Sequence, residues 1–530
     1  MYVATVPNRS SPPAILLRES YRQAGQVKSR TLANLSHWDP ARIQALRRAL
    51  RGDFDHLATE PTAGPVFGLL FTLHQIADQV GLNTALGHTR LAKLARFLVL
   101  ARVAHQGSRL SAVRWAQDHA VAEVLGLGAF DEDDLYAALD DLCARQEQIE
   151  QLLYRQYLQR RASPPTLFLY DITSSYLEGQ HNELGDYGYP RDGKRGKLQI
   201  VIGLLTDDVG EPLAVRVFAG NTSDPTTVGD QIQILQRQFG VEELVFVGDR
   251  GMVKTKSKQA LHEVGLHYIS ALTDPQIRRL LGAGTLQMGL FSEDVCEVEA
   301  KGVRYLLRQN EAEAARERHR VEDKLAKLQR KVEERNERVE NSTRCQPEVG
   351  PRKLQEWVAR HKLTGQVDLR LEGRQVVLER NQAGIDRALE LAGCYVVVSD
   401  VPKGQLSGQQ VHDSYVSLQK VERDFRQLKT GLLEVRPVWV RKESRTRGHV
   451  FCCMLALKLS REIERRLQAR FGTTDADAHT TTLPDALAAL SRLCLLEYQV
   501  DDKTMVSRLP MPDARQREIL AALEVQLPDR

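Results

Sequence analysis

PPTLFLYDITSSYLEG, residues 164–179, marks a change of period in the chain. After the double proline, Leu167–Tyr170 is a short apolar run of strand composition that ends at Asp171. Leu198–Leu205 is a second such run, closed by Thr206-Asp207-Asp208, and Leu213–Phe218 a third, closed by Gly220-Asn221. Runs at this spacing with turn residues between them read as hairpin-connected strands. A helix is predicted over Thr226–Phe239, then a strand Leu244–Val247 leading into Gly248-Asp249-Arg250-Gly251, a helix Lys256–Val264 and a strand His267–Leu272. The order strand–strand–strand–helix–strand–helix–strand places an antiparallel meander beside a parallel extension. This is a mixed sheet flanked by helices, of the α/β class.

The pattern is interrupted over residues 276–389. Val295–Glu299 with Val303–Arg308, and Val367–Leu371 with Gln375–Leu378, read as hairpins around Lys301-Gly302 and Gly373. Between them lies the charged segment Glu311–Glu340. Its Val321, Leu325, Leu328, Val332 and Val339 follow a short coiled-coil pattern, and Asn341–Pro351 ends it as a loop. The interruption therefore reads as a β-rich insertion with a helical arm. Tyr395–Ser399 restores a strand, and helices follow over Ser414–Thr430 and Gly448–Leu467. Residues 1–163 read as mostly helical, with Ser108–Leu127 open to either part of a helix-turn-helix or an ordinary bundle. Residues 471–530 read as a small helical tail. The expected division is 1–163, a core of 164–275 with 390–470, an insertion 276–389, and a tail 471–530.

Composition removes several classes. The 530 residues are 42% hydrophobic, which excludes wholesale disorder. No uncharged apolar run is long enough to span a bilayer; Leu94–Ala104, the most apolar stretch, carries Arg96 and Arg102. The start, MYVATVPNRSSPP, has no apolar core or cleavage signal, so secretion is not expected. The 7 cysteines include no CxxC and read as reduced thiols, neither disulfides nor zinc ligands. Lys and Arg number 73 against 69 Asp and Glu, so net charge names no partner. Local basic runs matter more. One spans the first 51 residues, one is Arg191–Lys197, and one includes Arg436, Arg441, Lys442, Arg445 and Arg447. Each is equally consistent with a solvated surface.

Asp171 after LFLY and Asp249 after LVFVG stand at the ends of strands in one sheet. A strand-end acid is often only a turn residue. Two on neighbouring strands could share a divalent cation, because Mg²⁺ takes hard oxygen ligands and commonly one or two carboxylates. A third acid comes from YVSLQKVERDFRQLK. At about 100° per residue, Tyr415, Leu418, Glu422, Arg426 and Lys429 fall within roughly 80° of one another. Val421, Phe425 and Leu428 fill the adjacent, core-facing sector. Glu422 with Arg426 also reads as an ordinary i, i+4 ion pair. Two Asp and one Glu suit two-metal chemistry, in which ions about 3.5–4 Å apart activate water or a 3′-hydroxyl for in-line displacement. Arg426 and Lys429 would then hold phosphates of a DNA end.

These residues resemble a family. Asp171 in LFLYDITSSYLEG, Asp249 in VFVGDRGM and Glu422 in Y-x2-L-x3-E-x6-K are similar to the DDE transposases of bacterial insertion sequences, and to their subgroup with a Tyr-Arg-Glu-Lys signature, the IS-four-type enzymes and close relatives. GYPRDGKRGKLQIVIGLL, FAGNTSDPTT and RPVWVRKESRTRGHVF carry the likeness over most of residues 165–465, and ESYRQAGQVKSRTLANLSHW is similar to the start of such proteins. Leu418 departs from it, standing where the signature has Arg; Arg426 or Lys420 are the candidate substitutes. The resemblance implies an RNase H-like core preceded by a DNA-binding region and interrupted by a β-rich insertion. It implies Asp171, Asp249 and Glu422 as catalytic metal ligands for Mg²⁺, with Mn²⁺ able to substitute. Tyr415, Arg426, Lys429, Arg250, Lys194 and Arg195 are the candidate DNA contacts. It further implies binding to terminal inverted repeats, metal-dependent cleavage of the element ends, and joining of the 3′-hydroxyls to target DNA. Relatives in the subgroup can pass through a DNA hairpin. A homodimer holding paired ends follows from the need to hold two ends together, and the arm 311–340 is a candidate for that contact or for DNA. The setting is the bacterial cytoplasm, with nucleoid association when bound to DNA and no membrane. A stand-alone metal nuclease of the same fold and a non-catalytic DNA-binding relic are the alternatives.

Other motifs point less far. Gly188–Lys194 imitates a phosphate-binding loop, but Arg195 replaces the required Ser or Thr, so a DNA-contacting loop is the better reading. His449, near a predicted helix start, reads as a cap or a phosphate contact. Trp357 and Trp439 read as core. Ser174, Ser175 and Tyr176 lack a positioned base for nucleophilic chemistry.

Overall fold

A computed structural model describes the chain except for residues 9–11, 24–25, 52–60, 242–243, 251–254, 264, 343–348, 431–434, 436–439, 473–479, 502–503 and 529–530. Arg436, Trp439, the Gly251-Met252 end of VFVGDRGM and residues 343–348 of the predicted loop lie outside the described residues. No helix among the described residues is long and apolar enough to cross a membrane.

The chain forms two compact units. The first comprises residues 1–76, 113–128 and 464–530, and the second residues 77–112 and 129–463. The second holds the predicted mixed sheet. Its meander is β1 (Leu167–Tyr176), β2 (Gln199–Asp207) and β3 (Pro212–Ala219), paired antiparallel. On the other side of β1, β4 (Val245–Gly248) and β5 (His267–Ala271) add in parallel. The hairpin β6 (Cys296–Ala300) and β7 (Val303–Gln309) and the strand β8 (Cys394–Ser399) complete an eight-stranded sheet of order β6-β7-β8-β5-β4-β1-β2-β3. The helices α1 (Asp224–Gln233) and α2 (Thr255–Glu263) make the crossovers that parallel strands require.

The strands are apolar runs because both faces of the sheet are covered. Phe168, Tyr170 and Phe246 are fully buried among Val228, Leu235, Leu261 and Val396, each large side chain stabilising the fold by about 1.5–3 kcal/mol. The helix Gln146–Gln159 is tied to β3 by a buried ion pair, Arg216 Nη1 lying 2.8 and 2.9 Å from the two oxygens of Glu150.

The insertion differs from its expected form. Hairpin β6–β7 joins the central sheet, since β7 pairs with β8. What remains is mainly helical: α3 (Glu311–Glu340), α4 (Val349–Arg360) and α5 (Gln382–Leu389), with one two-stranded hairpin, Val367–Glu372 and Gln375–Arg380. Leu325, Leu328 and Val332 of α3 are buried against Leu354 and Val358 of α4 and Val376 of that hairpin. The apolar stripe is thus covered by its own chain and is not an open coiled-coil seam.

The first unit also departs from the mostly helical expectation. Residues Tyr2–Val6, Ala14–Gln23 and Gln26–Asn34 form a three-stranded antiparallel sheet, followed by the helix Pro40–Leu50. Every residue of Gln26–Asn34 is exposed, so no buried face marks the strand by apolar alternation. In the tail, Cys494–Asp501 and Thr504–Arg508 form a hairpin that pairs with Thr62–Val66. That partner lies more than 400 residues away in sequence, out of reach of any local pattern. The segment read as a possible helix-turn-helix has a second helix, Val121–Leu125, of only 5 residues, with Val121 and Leu125 buried.

Candidate active site

The parallel register of β1 with β4 pairs Tyr170 with Gly248. The next residues, Asp171 and Asp249, therefore emerge side by side. Asp249 ends its strand as expected. Asp171 does not: β1 continues to Tyr176 because β2 goes on pairing with it, Asp171 facing Leu204.

The predicted helix 414–430 is two helices, α6 (Gly408–Val416) and α7 (Leu418–Thr430), separated at Ser417. Helix α7 packs on β1 and buries Val421, Phe425 and Leu428, leaving Glu422 exposed on its outer side. Tyr415 comes from the end of α6. Asp171, Asp249, Glu422, Tyr415 and Arg250 line one cleft of about 650 Å³, together with Leu418.

The cleft is electrostatically strained towards cations. Enclosure by protein pushes the Asp171 carboxyl up to about 7. The Ile172 amide, donating to Asp171 Oδ1 at 2.8 Å, opposes the rise; the charges of Asp249 and Glu422 add to it, and Arg191 lowers it. The phenol of Tyr415 donates to Asp249 Oδ1 at 3.1 Å, and burial followed by the Asp249 charge raises the tyrosine above its ordinary value. The amide of Arg250 donates to the same oxygen at 2.7 Å, while its guanidinium lies 3.9 Å from Asp274.

Hard oxygen donors around an enclosed carboxylate of raised pKa suit a divalent cation, which would relieve the repulsion. Among the described residues no three such side chains are drawn close enough to hold a metal ion as they stand. The donor chemistry fits; the side chains line the cleft without closing on its centre.

Other predicted contacts lie elsewhere. Arg426 is exposed on α7 and does not line the cleft. Lys429 is buried and donates to Thr173 Oγ1 on β1, so it braces α7 against the strand. Lys194 and Arg195 are exposed after the turn Pro190–Gly193, with the Lys194 ammonium 6.0 Å from the Tyr176 ring centre. Lys420 donates to the Asp208 carbonyl at 2.6 Å. His449 is neither cap nor phosphate contact. It is buried within α8 (Glu443–Phe471), where Arg109 Nη1 donates to its Nδ1 at 3.1 Å. Arg445 and Arg447 of the third basic run are engaged by Asp140 and Glu443. Sequence reading missed Arg308 of β7 and Tyr395 of β8, which line the same cleft. Pairing of β7 with β8 brings them there, and no local spacing signals it.

Comparison with known families matches residues 162–459, more than half of the chain, to the transposase DDE domain. The chain belongs to the DDE transposases. Residues 3–62 of the transposase also match the N-terminal domain described for IS1634 family transposases. That region includes the three-stranded sheet. A search of curated proteins finds no match. Among solved structures, the transposase is similar to the piggyBac transposase synaptic complex with hairpin DNA, at 10% identity and TM-score 0.37 over 75% of this chain and 69% of that one. It is also similar to the Mos1 transposase paired-end complex with left transposon end, at 11% identity and TM-score 0.15 over 33% and 57%. The Mos1 strand transfer complex aligns at 12% identity and TM-score 0.15 over 44% and 68%. Chemistry in the DDE domain family uses divalent metal ions.

Proposed function

We propose that this transposase binds the terminal inverted repeats of an insertion sequence, cleaves the element ends by phosphodiester hydrolysis, and joins the freed 3′-hydroxyls to target DNA. The single observation that carries the reading is the register of Tyr170 with Gly248, which sets Asp171 beside Asp249 in a cleft that Glu422 also lines. Asp171, Asp249 and Glu422 would hold Mg²⁺, or Mn²⁺ in its place, which when bound supplies Lewis acidity and a nucleophilic oxygen of lowered pKa. The chain's own residues do the positioning. Tyr415 fixes the rotamer of Asp249 through its hydrogen bond. Arg250 stands at the cleft rim, where a phosphodiester approaching Asp249 would meet its guanidinium. Lys194 and Arg195, with Arg191 behind them, form an exposed basic loop suited to the flanking duplex. Lys429 acts indirectly in this reading, by holding α7 and hence Glu422 against β1.

The reading includes an RNase H-like core, to which the meander and its parallel extension correspond, and membership in the Tyr-Arg-Glu-Lys subgroup despite Leu418. It includes a homodimer with two paired ends, because joining both ends at one target needs two such clefts. The basic N-terminal sheet, with its exposed strand Gln26–Asn34, is the candidate for repeat recognition.

The test is cleavage of a labelled duplex carrying the element's own terminal repeat, with Mg²⁺ or EDTA, beside Glu422→Gln. Nicking at the repeat boundary that requires both metal and Glu422 is expected. Metal-dependent cutting that ignores the repeat would reassign the protein as a general nuclease. Repeat binding without cutting would mark a DNA-binding relic.

A further inference from the structure

The cleft holds a cation that the proposed chemistry has not used. Arg308, on β7, is half-buried and lines the same cavity as Asp171, Asp249 and Glu422. Its guanidinium is anchored through Nε, which donates to the Glu293 carbonyl at 2.8 Å, and through Nη1, which donates to His412 Nε2 at 3.2 Å. An arginine has only N–H donors, so His412 Nε2 must present its lone pair. The ring proton then sits on Nδ1, where Asp413 Oδ1 accepts it at 2.9 Å. The Tyr395 hydroxyl lies 2.6 Å from the same Nε2, whose one lone pair faces both neighbours, and Tyr395 is itself hydrogen-bonded to Arg308. His412 is 1% exposed, so this bracket is set in the wall behind the cleft.

The partners of Arg308, the Glu293 carbonyl, His412 and Tyr395, carry no negative charge. Among the described residues it makes no ion pair, although the cleft is lined by Asp171, Asp249, Asp274, Glu313, Glu317 and Glu422. Glu313 is engaged by Arg316 and Arg320, and the Arg250 guanidinium leans towards Asp274. Among the described residues Arg308 is thus a held guanidinium with no carboxylate in direct contact. Such a fork favours a planar or tetrahedral oxyanion, and a phosphodiester is the anion that must enter a cleft of this kind.

We infer that Arg308 binds one non-bridging phosphate of the DNA strand at the scissile end, and that His412 and Tyr395 are positioning residues that aim it. The inference rests on the transposase reading of the cleft and adds a phosphate site to it. Leu418, at the position where the signature carries Arg, is buried in the same cleft lining. The cation comes instead from a strand of the central sheet, more than a hundred residues earlier in the chain.

The experiment uses the full-length protein and terminal-repeat duplexes in which single phosphates around the cleavage point are replaced by neutral methylphosphonate. With wild-type protein, one substitution is expected to slow cleavage by about 10-fold, the scale of one charge-assisted contact. Arg308→Ala and Arg308→Gln are each expected to cut the native duplex at least about 10-fold more slowly, with the sensitive methylphosphonate costing less than about 2-fold more. The glutamine keeps a donor for His412, so its coupling pattern decides if the alanine protein unfolds. Arg352→Ala, on the exposed face of α4, should behave as wild type. If both Arg308 variants lose rate but stay as sensitive to every methylphosphonate as wild type, Arg308 is only a pin between β7 and α6 and the phosphate site is wrong. If the wild-type protein cuts no repeat with any divalent cation, the reading of the cleft itself fails, which is a different result.

Discussion

The phenolic proton of Tyr415 is donated to Asp249 across 3.1 Å, joining the end of α6 to the strand-end acid of β4. Asp249 has a second donor in the Arg250 amide at 2.7 Å, and both donors meet the same carboxylate oxygen, Oδ1. Tyr415→Phe keeps the ring and removes the donor. Loss of one hydrogen bond to a charged group is worth about 1.5–3 kcal/mol, so cleavage should fall about 10- to 100-fold. Repeat binding measured by gel shift should stay within about 2-fold, because the ring still packs. Unchanged cleavage would mean that Asp249 does not need this partner.

Asp249→Asn and Glu422→Gln preserve shape and remove charge. Each should lower metal-dependent nicking by about three orders of magnitude, the scale of deleting one preorganised electrostatic group. End binding should survive in both, because neither side chain is a cation that phosphate could contact. A variant that nicks at more than a tenth of the wild-type rate would remove that acid from the metal site.

Asp171 gives a pH signature. Its carboxyl is raised in the folded protein to about 7, from an ordinary value near 3.8. A raised group favours the protonated form, so its contribution to stability is fully present below the unfolded value and is lost as pH rises through about 7. A divalent cation needs the ionised form and reverses that loss. In EDTA the melting temperature should therefore fall between pH 5 and pH 8, and Asp171→Asn should remove part of that fall. Added Mg²⁺ should raise the wild-type melting temperature by about 2–4 °C at pH 8, and less at pH 5.5. A magnesium effect of equal size at both pH values, or one retained in Asp171→Asn, would place the cation elsewhere.

Gly203 of β2 stands opposite Ile172, and a Cβ there would land on the ring and hydroxyl of the fully buried Tyr170. Gly203→Val should force that ring aside and destabilise the core by about 1–3 kcal/mol. Thermal unfolding of the purified variant would measure it. Because Tyr170 immediately precedes Asp171, cleavage should fall further than the stability loss explains. A variant as stable and active as wild type would show that the β1–β2 packing does not position the acid.

The sheet was legible because its strands are covered on both faces, so LFLY, LVFVG and their companions are apolar runs bounded by turn residues. Asp171 and Asp249 stood out for the same reason, since a carboxylate after such a run breaks the pattern. Even so, the sequence placed Asp171 at a strand end, whereas pairing with β2 carries the strand on to Tyr176. The exposed strand Gln26–Asn34 offered no apolar face to read. The break at Ser417 was hidden inside a continuous helical period, and it moved Tyr415 onto a separate helix from Glu422. Arg308 reached the cleft through β7–β8 pairing, and Lys429 turned inward to Thr173, outcomes set by tertiary packing alone.

The arm α3 tests a boundary between folding and assembly. Its seven-residue apolar rhythm resembles a dimer seam, yet Leu325 and Leu328 are at most 1% exposed in the single chain, packed on α4 and the hairpin 367–380. A stripe already covered has no area left to bury against a second copy. Leu328→Ala should therefore act within the chain. It removes a fully buried side chain and should destabilise the insertion by about 2–5 kcal/mol. Hydrogen exchange should report lost protection over 311–340 and 349–380, while β1, β4 and β5 keep theirs. Sedimentation of the protein with two repeat duplexes should show the same stoichiometry as wild type. If instead the variant keeps its protection and the paired complex falls apart, the stripe is an intermolecular contact and its burial within one chain is not the assembled state.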